Sequence, residues 1–248
     1  MGVVNGRKLI FFGGGDGYCY AFDARPVKEG DSTYLKVAWK YDCNPPERKK
    51  FKYPAAEGPS EINATPVFYK NRVYVAVGQD PEHQEGVGIL TCIDATKTGD
   101  ITGTGKIWSY DKINRSISTV SIDPSTGLLF VGDFSGFVHC FDAETGKPYW
   151  TYDMKAHMWG STLVADGKVY CGDEDGDFTI LAATREKKIL SEANLGAPVY
   201  STPIVANGVI YVASNAHLYA IYDAARNAPI SDQPPKVDLD LNKPGGKK

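Results

Sequence analysis

A chain of 248 residues, 42% hydrophobic and 23% charged, has room for one large all-β domain or two smaller ones. Its net charge of −3 offers no global basic field for nucleic acid, and no apolar run is long enough to cross a bilayer as a helix. Five cysteines cannot all pair within one chain. None stands in C-x-x-C or C-x-x-C-H, which argues against a zinc ribbon, a thioredoxin-type site and a c-type haem.

The N-terminus, "MGVVNGRKLIFF", has a short apolar stretch and no small-residue cleavage site, so it does not read as a secretory signal. Either the chain is cytoplasmic or an upstream part is missing. Abundant Gly, Tyr and Phe favour short strands and tight turns. Five segments then align without a gap: "GYCYAFDA" (17–24), "GILTCIDA" (88–95), "GFVHCFDA" (136–143), "GDFTILAA" (176–183) and "HLYAIYDA" (217–224). Each follows a second apolar run, and all but the first follow a third. Three copies continue to a tryptophan: Trp39, Trp108 and Trp150. In the fourth, "KKILSE" takes that place around Ile189 and Leu190.

The copies fall near 3–43, 63–110, 117–153, 159–195 and 199–227, with a loop insertion at 44–62 and a disordered tail at 228–248. Each reads as four strands marked by alternating apolar residues. The turns Asp166-Gly167 and Asn207-Gly208 suit hairpins because both residues accept positive φ. Four antiparallel strands repeated at about 40 residues make a propeller blade. The expected fold is therefore all-β, a β-propeller of about five four-stranded antiparallel blades. Copy one begins inside its first strand and copy five stops before a tryptophan strand. The chain thus reads as a partial ring, either the C-terminal part of a longer, eight-bladed propeller or a divergent five-bladed one. A partial ring exposes strand faces, so it needs a partner, another copy of itself to complete the ring, or the missing residues.

"FVGDFSGFVHCFDAETGKPYW" (130–150) resembles the repeat of the pyrroloquinoline-quinone-type β-propellers. That superfamily includes quinoprotein alcohol dehydrogenases and the periplasmic propeller lipoprotein of the outer-membrane β-barrel assembly machinery. The motif residues are Phe141, Asp142, Ala143, Thr145, Gly146, Lys147 and Trp150. The resemblance implies a structural role for Asp142, Gly146 and the tryptophans, which pack between neighbouring blades. It also implies a bacterial, periplasmic or envelope setting for a full-length parent.

Candidate sites follow the chain. The second copy lengthens its turn to "VGQDPEHQEGVG", placing Asp80, Glu82, His83 and Glu85 on one loop. His and carboxylates suit a divalent transition metal, and a solvated loop tip is the simpler reading. "ERKKFK" (47–52) reads as a solvated basic loop. Cys43, at the edge of the insertion, is the expected exposed thiol. His157, Trp159 and Tyr200 precede the innermost strands of copies four and five, which in propellers lie near the mouth of the central channel. "CGDEDGD" (171–177) alternates Asp173, Asp175 and Asp177 as calcium loops do. Alignment makes it a recurring turn, where Asp accepts backbone N–H bonds without any metal.

A quinoprotein dehydrogenase pattern includes a vicinal Cys-Cys, a stacking Trp, and Glu, Asn and Asp ligands for calcium. No Cys-Cys dipeptide exists here. The preferred reading is a non-catalytic scaffold presenting one face to a protein or surface polymer. The alternative is a metal-assisted or quinone-linked enzyme, with pyrroloquinoline quinone or a divalent cation at the channel mouth.

Overall fold

The computed structural model describes residues 1–44, 61–78 and 88–223, in which there are twenty strands and no helix. Blade one comprises β1 (Gly2–Val4), β2 (Arg7–Gly13), β3 (Tyr18–Glu29) and β4 (Ser32–Asp42). Blade two begins with β5 (Val67–Tyr69), β6 (Arg72–Val77) and β7 (Ile89–Asp94). The chain then visits blade one, where β8 (Gly99–Asp100) pairs in parallel with β4 through Trp39 and Lys40. It returns as β9 (Lys106–Tyr110) to close blade two. Blade three is β10 (Ser121–Asp123), β11 (Leu128–Gly132), β12 (Phe137–Asp142) and β13 (Pro148–Asp153). Blade four is β14 (Leu163–Ala165), β15 (Lys168–Gly172), β16 (Asp177–Ala182) and β17 (Ile189–Asn194). Blade five is described as three strands, β18 (Ile204–Ala206), β19 (Val209–Ala213) and β20 (Leu218–Tyr222).

The predicted hairpins form as their residues require. Asp166-Gly167 and Asn207-Gly208 have φ of 50° and 66°, and 52° and 76°. The strand pattern differs from simple alternation: β11 is buried at all five positions. A middle blade is covered on both faces, so successive side chains point into two different apolar layers. Tyr74 and Ala76 of β6 face blade three, while Val73, Val75 and Val77 face blade one. The cores therefore lie between blades.

Three tryptophans link these layers. Trp39 Nε1 donates to Ala95 O (3.2 Å), Trp108 Nε1 to Ala143 O (3.1 Å) and Trp150 Nε1 to Thr184 O (2.9 Å). Each indole reaches from the strand that follows the third strand of one blade to the turn after the third strand of the next. On the inner side, Thr65 N–H donates to Thr119 Oγ1 (3.0 Å), Thr119 N–H to Ser161 Oγ (2.9 Å) and Ser161 N–H to Thr202 Oγ1 (2.9 Å). Four consecutive blades are thus tied by one repeated hydroxyl.

Two expectations are corrected. Trp108 and Trp150 pair with Cys92 and Cys140, and their counterpart across from Ile180 is Ser191, not Ile189 or Leu190. The turn between β16 and β17 is one residue longer than that between β12 and β13, which sets that register. Cys43 is 2% exposed rather than an open thiol. Its N–H bonds Gly17 O at 3.0 Å, which draws it under the blade one core, and burial pushes its thiol pKa up. All five cysteines are free and buried.

With Ser191 in the tryptophan column, β17 is exposed along its whole length. The layer between blades four and five has Tyr170, Phe178, Val199 and Val212 as its fully buried members, against fifteen between blades one and two. At the two ends of the array, large apolar side chains face outward, including Phe12 (61% exposed) and Leu218 (69%).

Gly146 is needed twice over. It has φ +73°, and a Cβ there would lie 2.6 Å from Cδ2 of Trp108. Gly208 has φ +76° with nothing nearby. Gly146→Ala is expected to cost about 2–4 kcal/mol from backbone conformation plus overpacking, and Gly208→Ala about 1–2 kcal/mol. Urea midpoints of the two variants check the difference.

Candidate functional site

One backbone bond repeats on the face carrying the turns between second and third strands. Phe134 N–H donates to Arg115 O (2.7 Å), Glu174 N–H to His157 O (3.0 Å) and Asn215 N–H to Pro198 O (2.9 Å). Each ties that turn to the lead-in of the blade's own first strand. It makes Phe134 and Glu174 equivalent positions, and places Trp159 and Tyr200, two residues after His157 and Pro198, in one inner column.

Those residues meet. His157 Nδ1 lies 2.6 Å from Glu174 Oε1, and Trp159 Nε1 donates to Glu174 Oε2 at 2.9 Å. Phe134, from the preceding blade, stacks on His157 with centroids 4.5 Å apart, and meets Trp159 edge-on at 5.2 Å. Trp159 in turn meets Tyr200 of blade five at 5.5 Å, with the rings inclined by 61°. Phe134 is buried, while Trp159 is 38% and Tyr200 44% exposed. The cluster is an aromatic shelf spanning three blades, with a carboxylate at its centre. Burial raises the pKa of Glu174, but bonds from Trp159 and His157 outweigh it and hold the carboxyl below its usual range. Glu174 is therefore ionised at neutral pH.

The structure thus brings together His157, Trp159 and Tyr200, and adds Glu174 and Phe134, which the sequence reading missed. The available signal was alignment of the turns: Phe134 and Glu174 share the position after the turn aspartate.

Asp173, Asp175 and Asp177 form the turn rather than a ligand set. Asp173 Oδ1 accepts the N–H groups of Asp175 (3.1 Å) and Asp177 (2.9 Å). Asp177 Oδ1 accepts from Asn194 Nδ2 (2.8 Å). Asp175 is exposed. Asp173 itself is fully buried, its Oδ2 has no hydrogen-bond partner among the described residues, and burial pushes its pKa up to about 6. In blade three the matching oxygen, Asp133 Oδ2, meets Asn114 N–H (3.2 Å) and His139 Nε2 (2.9 Å), with Thr151 Oγ1 3.2 Å from His139 Nδ1. Blade four has Thr179 and Glu192 in the places of His139 and Thr151.

Asp142 Oδ1 accepts from Glu144 N–H, Thr145 N–H and Thr145 Oγ1, which fixes the turn that presents Gly146 to Trp108. Asp80, Glu82, His83 and Glu85 lie outside the described residues, as do "ERKKFK" and the tail.

Among the described residues no three His, Cys, Asp or Glu side chains converge as metal ligands. Trp39, Trp108 and Trp150 are committed to contacts between blades, and Trp159 stands edge-on to Tyr200. These donors do not fit a calcium-bound quinone. No helix among them is long and apolar enough to cross a membrane.

The family model described as outer membrane protein assembly factor BamB matches residues 88–189. Among solved structures, BamB from Moraxella catarrhalis is similar with a TM-score of 0.52 and 15% identity, over 88% of this chain and 82% of that one. The C-terminal WD40 domain of Sif2 gives 0.62 and 13%, over 87% of this chain and 54% of that one. A chain of the mitotic checkpoint complex gives 0.60 and 13%, over 87% and 62%. This chain therefore spans about half to three-fifths of the two latter chains, and at such identities the likeness shows the fold alone. No curated protein matches it.

Proposed function

We propose that this chain, a β-propeller built from pyrroloquinoline-quinone-type repeats, is a non-catalytic scaffold that holds a protein partner on the face carrying Trp159 and Tyr200. The observation that carries this reading is that shelf: two large aromatics side by side, exposed, on blades four and five, which are tied at the inner edge. Exposed aromatics with little conformational freedom to lose are what protein interfaces use as anchors. The match to an outer-membrane assembly factor supports a periplasmic or envelope setting. The apolar faces at the two ends of the array support self-association as a way to cover them.

The test is capture of envelope proteins on immobilised protein, comparing the native chain with a Trp159→Ala/Tyr200→Ala variant. A specific partner retained by the native chain is expected to fall at least about tenfold, as for an anchor worth 1.4 kcal/mol or more. Equal capture by both sinks the reading.

A further inference from the structure

We infer that the Trp159–Tyr200 shelf receives a cationic side chain, an arginine or lysine on an extended segment of the partner protein. This rests on the scaffold reading above and names the chemistry of its contact. The two rings stand at 61° to one another, forming a corner, and both side chains are partly exposed. Ring faces are electronegative and attract a cation placed over them. Glu174 adjoins the corner, its Oε2 accepting from the Trp159 indole and its Oε1 meeting His157 Nδ1. A carboxylate keeps further lone pairs for a guanidinium or ammonium group.

The surroundings favour the same sign. Asp175 is exposed on the Glu174 turn, and Asp177 follows it. The nearby Lys155 is already paired with Asp153. An acidic or phosphorylated segment would meet this turn with repulsion. A neutral saccharide stacks on the rings without any gain from the carboxylate charge, so it is the competing ligand class.

Trp159 makes the test direct. It is the exposed member of four tryptophans, the others being buried. The part of the emission quenched by acrylamide therefore reports the shelf. The full chain is titrated at pH 8 with (Gly-Arg)4, with its uncharged citrulline isostere (Gly-Cit)4, and with maltotetraose and chitotetraose. The arginine peptide is expected to shift the emission and to bind at least about tenfold more tightly than the citrulline peptide. Glu174→Gln and Tyr200→Ser are each expected to lose most of that difference, and 0.5 M salt to weaken it, with the far-ultraviolet spectrum unchanged. Tyr200 is a surface side chain, so its replacement leaves folding intact and keeps the test valid if Glu174→Gln misfolds. Equal binding of the two peptides, binding of either saccharide in their place, or arginine binding indifferent to both substitutions overturns the inference. If the peptide test fails while envelope capture still depends on Trp159 and Tyr200, the scaffold reading stands and the cationic contact falls. If capture fails as well, both fall.

Discussion

Trp39→Ala is expected to cost about 3–5 kcal/mol, the range for emptying a buried indole site. Trp39 is fully buried among Phe11, Ala21, Ile93 and Ala95, so the vacated volume lies in the largest layer of the molecule. The same change strips Ala95 O of its indole donor, and an orphaned buried carbonyl adds to the loss. A domain's whole stability is about 5–15 kcal/mol, so this variant approaches the limit of folding. Trp39→Phe retains most of the volume and isolates the hydrogen bond, at about 1–2 kcal/mol. Ser191→Ala, at the equivalent exposed position of blade four, is expected to stay within about 0.5 kcal/mol. Urea unfolding of the three variants checks the order. A cost for Ser191→Ala near that of Trp39→Ala contradicts the register assigned to β17.

The second large effect is one of pH. Asp173 titrates near 6 in the folded chain because burial disfavours its charge, whereas an unfolded aspartate titrates near about 3.9. Between those values the folded chain binds more protons than the unfolded one. Stability from this residue is therefore complete below about pH 4 and is lost as pH rises through about 6. Two units of difference correspond to about 3 kcal/mol. Carboxylates held low, Asp123, Asp142 and Glu174 among them, act in the opposite sense, so the comparison must be with a variant. Asp173→Asn keeps the Oδ1 acceptor and never ionises. Its gain over the native chain is expected to grow from pH 4 to pH 7. Thr179→His offers a second route. It places an imidazole N–H where His139 stands in blade three, and a cavity of about 430 Å3 beside Thr179 gives the ring room. That variant is expected to recover part of the loss at pH 7. A pH profile identical in the native chain and Asp173→Asn rules out Asp173 as its source.

Much of the architecture was legible because it repeats. The ungapped segments around residues 88–95 and 136–143 carry both the pairing of the third strand and the turn that receives the next indole. Asp142 stands out for the same reason, recurring as Asp23, Asp94 and Asp223, whereas Gly146 has no glycine counterpart in the other copies and is marked by its motif alone. Ser191 was misplaced because the turn before β17 is one residue longer than the turn before β13, and an ungapped alignment does not show that extra residue. The parallel visit of β8 to blade one escaped notice because two residues carry no period. The site was only half legible. Aromatics before the inner strands were visible, but Glu174 was overlooked beside three alternating aspartates. Its role depends on Trp159 and His157 arriving from a separate segment, a contact that local pattern does not encode.

The successive layers between blades also set how the molecule resists being pulled apart. Among the described residues, buried members number fifteen, eleven, eleven and four from the first layer to the last, and the last has no indole across it. Under tension such an array has its softest joint at one known place, between the fourth sheet and the fifth. Tyr200 sits on the far side of that joint from Trp159. A partner gripping both rings therefore works as a clasp across the weakest seam, and its departure leaves the last sheet as the first to peel.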